Sequence, residues 1–310
     1  MCADRVLVIR HGALGDLVQS MGPFKAIRAY HPKAQITLLT APAFATFMGN
    51  CPWFDRVWQD HRPGWHQIAE WLRLRRRLAE GGFDRVYDLQ TSSRSSLYLH
   101  AFPARRRPEW SGIASRASHI HGNPDRDRMH TLERQAEQLR IAGIDTVPPP
   151  DLSWVNADTA RFELLQPYAL VVPGGSAHRP AKRWPADYYL ALCRRLLAAS
   201  IQPVLIGGAD EVVLNRVLAE QCPGVRDLAD QTGLEDLVGL ARDARVAVGN
   251  DTGPMHLAAA SDCPVVVLFS DQSDPNLCAP RGAKVAILRE PDLAALDVDR
   301  VWAAVEKLGA

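Results

Sequence analysis

Apolar residues fall in short runs separated by polar, glycine-bearing turns, and the runs alternate between two periods. Residues 5–10 (RVLVIR) form a compact β-branched run ending at His11-Gly12, the pattern of a parallel strand buried on both faces. Leu14, Leu17, Val18, Met21 and Phe24 then recur at helical spacing, so a helix is expected to follow directly. Runs at 35–40 and 85–89 predict two more strands, with an amphipathic helix over 66–80 between them and a last helix over 129–142. Strands alternating with helices mean an open α/β sheet.

Pro148-Pro149-Pro150 interrupts this pattern and predicts a stiff, extended spacer. The pattern then restarts. A strand at 170–172 enters Pro173-Gly174-Gly175-Ser176, a helix spans 186–199, and a strand at 203–206 ends at Gly207-Gly208. A strand at 245–248 enters Gly249-Asn250-Asp251, and 264–269 is a last central strand. The expectation is two α/β domains in series, 1–155 and 156–310, hinged near 150–167, with the last helix packing back on the first domain. A length of 310 residues suits two domains, and no 20–50-residue repeat competes with that reading.

Composition narrows the class. With 47% apolar and 23% charged residues, the chain reads as a soluble globular protein, which excludes fibrous and disordered types. Apolar runs stay far below the ~20 residues needed to span a bilayer as a helix. Only four residues precede the first strand, so no signal peptide is expected. Six cysteines without a CxxC pair read as reduced thiols of a cytosolic chain.

The net charge of +1 hides an asymmetry. Residues 1–150 hold 21 Lys and Arg against 14 Asp and Glu, and residues 151–310 hold 15 against 21. Arg73, Arg75, Arg76 and Arg77, then Arg105, Arg106 and Arg107, supply much of the first excess. Such a balance suits an anionic partner: a phosphorylated glycolipid, a membrane surface or nucleic acid. A helical arginine run reads equally as a solvated face. No RNA-reading or helix-turn-helix motif accompanies the arginines, which places nucleic acid last.

In open α/β sheets, ligands bind beyond the carboxyl ends of the strands. The first such turn, His11-Gly12-Ala13-Leu14-Gly15-Asp16, lacks GxGxxG, and no acid closes the second strand at Leu39-Thr40, so a dinucleotide site is a poor fit. It leaves one carboxylate, Asp16, suited either to capping the helix or to catalysis. In the later turn Asn250-Asp251-Thr252-Gly253-Pro254, proline suits the first helical position, and the alanine-rich helix start offers amides and a positive dipole to a diphosphate. Thr252 adds a hydroxyl, and His256 either meets the same phosphate or is a buried structural histidine. Pro173-Gly174-Gly175-Ser176, with Lys182 and Arg183 downstream, can hold phosphate without a metal. Asp210 and Glu211 after Gly207-Gly208 suit ribose hydroxyls or a helix cap. Ser92, Ser93, Ser95 and Ser96 suit acceptor hydroxyls or simply open a helix. His119, His121 and His130 lack the carboxylate spacing of a metal site, and neither a GxSxG nor an HExxH motif is present.

GxxGD (Gly12, Gly15, Asp16), PGGS…KRWP (173–176 and 182–185) and DTGPMHLAAA (251–260) together resemble glycosyltransferase family 9, the ADP-heptose:lipopolysaccharide heptosyltransferases and their relatives. The resemblance implies the GT-B architecture: two Rossmann-like domains with parallel sheets facing a cleft, acceptor on the first and nucleotide-sugar on the second. It implies Asp16 as general base for inversion by a single displacement. It assigns the donor to Gly175, Ser176, Lys182, Glu211, Asp251, Thr252, Gly253 and His256, and the acceptor to Gly15, Ser92, Ser93 and Arg94. No cofactor or divalent metal is expected beside the ADP-sugar substrate, because Lys182 and the Thr252 and Gly253 amides take over that electrostatic role. The implied partners are the nucleotide-sugar, a phosphorylated glycolipid and the anionic cytoplasmic face of the inner membrane. A relative moving another sugar to an envelope glycan or protein, and a non-catalytic nucleotide-sugar binder, are the alternatives.

Overall fold

The computed structural model describes residues 3–64, 66–175 and 179–309. The chain divides into two compact units, Met1–Trp154 and Val155–Ala310. In the first, strands β1 (Arg5–Ile9), β2 (Gln35–Thr40), β3 (Arg56–Gln59), β4 (Arg85–Asp88), β5 (Glu109–Gly112) and β6 (His119–Ile120) form one parallel sheet in the order β3-β2-β1-β4-β5-β6. Its helices are α1 (Leu14–Gln19), α2 (Met21–Tyr30), α3 (Pro42–Gly49), α4 (Ile68–Glu80), α5 (Ser93–Leu97) and α6 (Thr131–Ile141).

The second unit repeats the plan. Strands β7 (Tyr168–Val172), β8 (Gln202–Leu205), β9 (Arg226–Asp227), β10 (Val246–Asn250), β11 (Val265–Phe269) and β12 (Val285–Arg289) are ordered β12-β11-β10-β7-β8-β9. Helices α7 (Ala186–Ala198), α8 (Val212–Gln221), α9 (Leu234–Asp243), α10 (Gly253–Ala260), α11 (Pro275–Cys278) and α12 (Val298–Lys307) complete it. Each unit is therefore a Rossmann-type doubly wound sheet, whose order reverses between its first and fourth strands. Strands at those switch points are covered on both faces, and β7, β10 and β11 are buried at every position.

Three expectations change. The single helix starting at Leu14 is two helices, because Ser20 Oγ donates to the Asp16 carbonyl at 2.8 Å and the first segment ends there. The apolar stripe continues across the break through Met21, Phe24 and Ile27. The triple proline is not a free spacer: a Cβ on Gly22 would lie 2.0 Å from the Pro148 carbonyl, so this segment lies against α2. Lys25 pairs with Asp151 at 2.5 Å, and Trp154 packs on Phe47 and Trp53, which ties residues up to 154 to the first unit. The last helix, α12, packs its Val301 and Val305 into the core of the second unit beside Leu192, Leu196 and Val266.

Among the described residues, Cys51, Cys193, Cys222, Cys263 and Cys278 carry free thiols. Burial pushes those of Cys51, Cys193 and Cys263 up to about 12, so they are inert neutral core groups.

Candidate functional site

Two clusters form, one at the carboxyl edge of each sheet. In the first unit the chain leaves β1 through Arg10-His11-Gly12. Gly12 has φ +113°, and a Cβ there would meet Phe44 at 2.4 Å, so glycine alone fits this turn. The turn delivers Asp16 to the start of α1 with its side chain 45% exposed. One carboxylate oxygen accepts the Ala13 N–H at 3.1 Å and the other meets the Arg10 guanidinium at 3.1 Å. Capping and availability thus coexist in one side chain.

Arg10 was not singled out by the sequence, because it ends an apolar strand and looks like a solvated terminus. It is buried, donating to the Leu89 carbonyl at 2.6 Å and the Asp16 carbonyl at 3.1 Å. A second buried set stands beside it. His11 lies 2.8 Å from Asp60, which also accepts the Tyr98 hydroxyl at 2.5 Å and the Arg62 N–H at 2.7 Å. Burial alone would raise the Asp60 carboxyl, but these hydrogen bonds outweigh it and hold the group below the usual carboxylate range.

The acceptor candidates share this edge, since β4 neighbours β1. Ser92 Oγ caps α5 by accepting the Ser95 N–H at 3.1 Å, so helix opening is its visible role. Ser93 is exposed on the first turn. Arg94 lies 4.8 Å from the Trp71 ring and donates to the Pro63 carbonyl at 3.0 Å, bracing the loop before α4.

Asp88, at the end of β4, is fully buried. Desolvation pushes its carboxyl up to about 7, against hydrogen bonds from Ser95 and the Thr91 and Gln90 amides and the attraction of Arg10. Because the native value lies above the ordinary 3.8, its contribution to stability is complete below about pH 4 and is lost as pH rises through about 7. The stability difference between pH 5 and pH 8 is therefore expected to shrink in Asp88→Asn, by on the order of 2–4 kcal/mol. Calorimetric melting of both proteins at the two pH values checks this; identical pH dependence contradicts it.

In the second unit the loops after β7, β8, β10 and β11 converge. Asn250 organises them: its amide donates to the carbonyls of Pro173 and Gly174, both at 2.9 Å. Its oxygen accepts the Trp184 N–H and the Tyr189 hydroxyl, both at 3.0 Å, so every polar site of this buried side chain is used. Asp251 follows, with Lys182 Nζ and Ser273 Oγ each 2.7 Å from one carboxylate oxygen and His256 Nε2 3.8 Å from the other. Burial opposes its charge, yet the contacts from His256, Lys182 and Ser273 prevail and hold the carboxyl well below its ordinary value.

Thr252 is the N-cap residue of α10, with Pro254 in its first turn. The amide end of that helix opens beside Asp251, with Lys182 held there by its ion pair. Arg183 donates to the Gly175 carbonyl at 2.6 Å and approaches Glu211 at 3.8 Å. Glu211 accepts the Gly208 N–H at 3.0 Å and lies where a Cβ on Gly174 or Gly207 would stand, at 2.6 and 2.5 Å. Those glycines let three turns close up. The structure thus gathers Gly175, Lys182, Glu211, Asp251, Thr252, Gly253 and His256 at one sheet edge, while Ser176 lies outside the described residues. Asn250 and Ser273 were missed. Asn250 had a signal, a lone amide closing an apolar strand, but Ser273 is 22 residues from Asp251 with no local cue.

Two Rossmann-type units with a glycine-rich, charged edge define a GT-B glycosyltransferase. A family model, glycosyltransferase family 9 (heptosyltransferase), matches residues 71–301, and the chain belongs to that family. It is 28% identical over 316 residues to lipopolysaccharide heptosyltransferase 2 of Salmonella typhimurium, covering 92% of this chain and 88% of that protein. The protein of the same description in Escherichia coli K12 is 28% identical over 320 residues, with the same coverages. Among solved structures, E. coli ADP-heptose LPS heptosyltransferase II shares the fold with a TM-score of 0.82 at 24% identity, covering 98% of each chain. A family 9 glycosyltransferase from Veillonella parvula gives 0.84 at 20% identity, covering 98% of this chain and 97% of that one.

Proposed function

We propose that the chain is an inverting glycosyltransferase that moves a heptose from ADP-heptose to an inner-core acceptor of lipopolysaccharide, without a divalent metal, at the cytoplasmic face of the inner membrane. The observation that carries this is the Lys182–Asp251–His256 cluster at the amide end of α10. In this reading the β-phosphate of the donor sits against that end. As the glycosidic bond breaks, charge grows on the departing diphosphate, and the Lys182 ammonium and the Thr252 and Gly253 amides stabilise it. Asp251 orients Lys182 through their 2.7 Å contact. His256 approaches the same oxygens, Glu211 takes ribose hydroxyls, and the Gly175 turn lets the backbone come close.

In the first unit Asp16 takes the proton of the acceptor hydroxyl while that oxygen attacks the anomeric carbon opposite the leaving ADP, so configuration inverts. Arg10 holds the carboxylate from below. Gly15, Ser93 and Arg94 flank the acceptor, and Ser92 serves by shaping the start of α5. The excess of basic residues in this half favours a phosphorylated glycolipid, and the printed descriptions of the relatives point to heptose and lipopolysaccharide.

Calorimetric titration with ADP, UDP and GDP, each with magnesium or a chelator, tests the donor half. Selective, chelator-indifferent ADP binding is expected, followed by turnover of ADP-heptose with a product of inverted anomeric configuration. Preference for UDP or GDP replaces the sugar, and binding to none of the three overturns the donor site.

A further inference from the structure

Helix α4 is more exposed than its apolar content requires. It buries only Leu74 and Leu78, while Ile68 is 67% and Leu72 56% exposed. Leu97, at the end of α5, is 44% exposed. Between them runs an apolar groove of about 360 Å³, walled by Trp71, Leu72, Leu78, Leu97 and Tyr98, with Arg75 at its rim. Arg75, Arg105 and Arg106 are exposed and form no ion pair among the described residues. Protruding leucines beside unpaired cations match the chemistry of the headgroup boundary of an anionic bilayer. No helix among the described residues is long and apolar enough to cross a membrane, so any such contact through a helix is interfacial.

We propose that this face docks on an anionic phospholipid bilayer, with Ile68, Leu72 and Leu97 entering the headgroup boundary and Arg75, Arg105 and Arg106 meeting lipid phosphates. The inference rests on the glycolipid-acceptor reading above and gives it a surface. The groove is continuous with the acceptor edge: α5 begins at Ser93, beside Ser92, and ends at Leu97 in the groove wall. Five helical residues span about 7.5 Å, so a lipid-anchored acceptor held at the one end keeps its chains near the other. A second copy of the chain is a worse occupant, because a two-fold contact through this face would set its arginines against their own copies.

The test is sedimentation of the full chain with phosphatidylcholine vesicles, and with vesicles also containing phosphatidylglycerol, at low and high salt. Binding is expected only to the anionic vesicles and is expected to weaken with salt. Replacing Arg75, Arg105 and Arg106 by glutamate should lower partitioning roughly 100-fold. The double variant Leu72→Asp with Leu97→Asp should lower it at least tenfold. ADP titration of each variant shows that it is folded and separates the two readings. Unaltered partitioning in both variants, equal binding to neutral vesicles, or no vesicle binding by a chain that binds ADP overturns the docking surface alone. A self-association abolished by Leu72→Asp without vesicle binding overturns it in favour of a dimer. Variant-sensitive vesicle binding by a chain that binds no nucleotide keeps the surface and removes the donor reading.

Discussion

Asp16→Asn is expected to lower kcat by roughly 10²–10⁴-fold, the span for losing a general base, while ADP affinity stays near that of the wild type. The substitution suits the question because asparagine is nearly isosteric. Its amide oxygen still accepts the Ala13 N–H that Asp16 accepts at 3.1 Å, so the start of α1 survives. What disappears is the charge facing Arg10 and the capacity to take a proton. If Asp16 served only as a cap, asparagine would cost little stability, and the rate would stay intact. Steady-state transfer kinetics, nucleotide calorimetry and a melting curve on one preparation distinguish the two. Undiminished turnover would remove Asp16 from the mechanism.

Lys182→Ala is expected to weaken ADP binding by roughly 10- to 100-fold, as for loss of a charge-assisted phosphate contact worth about 1.5–3 kcal/mol, and to slow transfer as well. The ion pair with Asp251 complicates a single measurement, since alanine also strips that buried carboxylate of its cation. Comparing AMP with ADP removes the ambiguity. A contact to the β-phosphate is lost only for ADP, whereas damage to the loop weakens both nucleotides alike. Equal losses would confine Lys182 to supporting Asp251.

The sequence disclosed the fold where burial is two-sided. The strand expected at 35–40 matches β2 residue for residue, and β7, β8, β10 and β11 lie within two residues of the runs that announced them. It was silent at the sheet margins. β3, β6 and β9 have two to four residues and little full burial, so they need no apolar run to mark them. β5 is short, and its fully buried Trp110 packs as an isolated aromatic rather than as part of a hydrophobic stretch. The same division holds for the site. Residues on glycine turns at strand ends, such as Asp16, Lys182 and Asp251, are visible as motifs because backbone geometry limits what can stand there. Arg10, Asp60 and Ser273 reach their partners through the fold from positions that carry no local pattern. The Pro148 segment went astray for a related reason: proline stiffness is local, but its docking on Gly22 is tertiary.

The two sheets share one strand order, each with its reactive turns at its own switch point and its own core. In the proposed reading this separates two kinds of inheritance. Changes in the turns after β7, β8 and β10 can retune which activated sugar is taken while leaving the packing beneath Asp16 untouched. Drift around α4 and α5 can follow a changing cell surface without disturbing the nucleotide seat. Exchange of whole halves between related chains then becomes a plausible route to new glycan linkages, since neither core has to be rebuilt to accept a different neighbour.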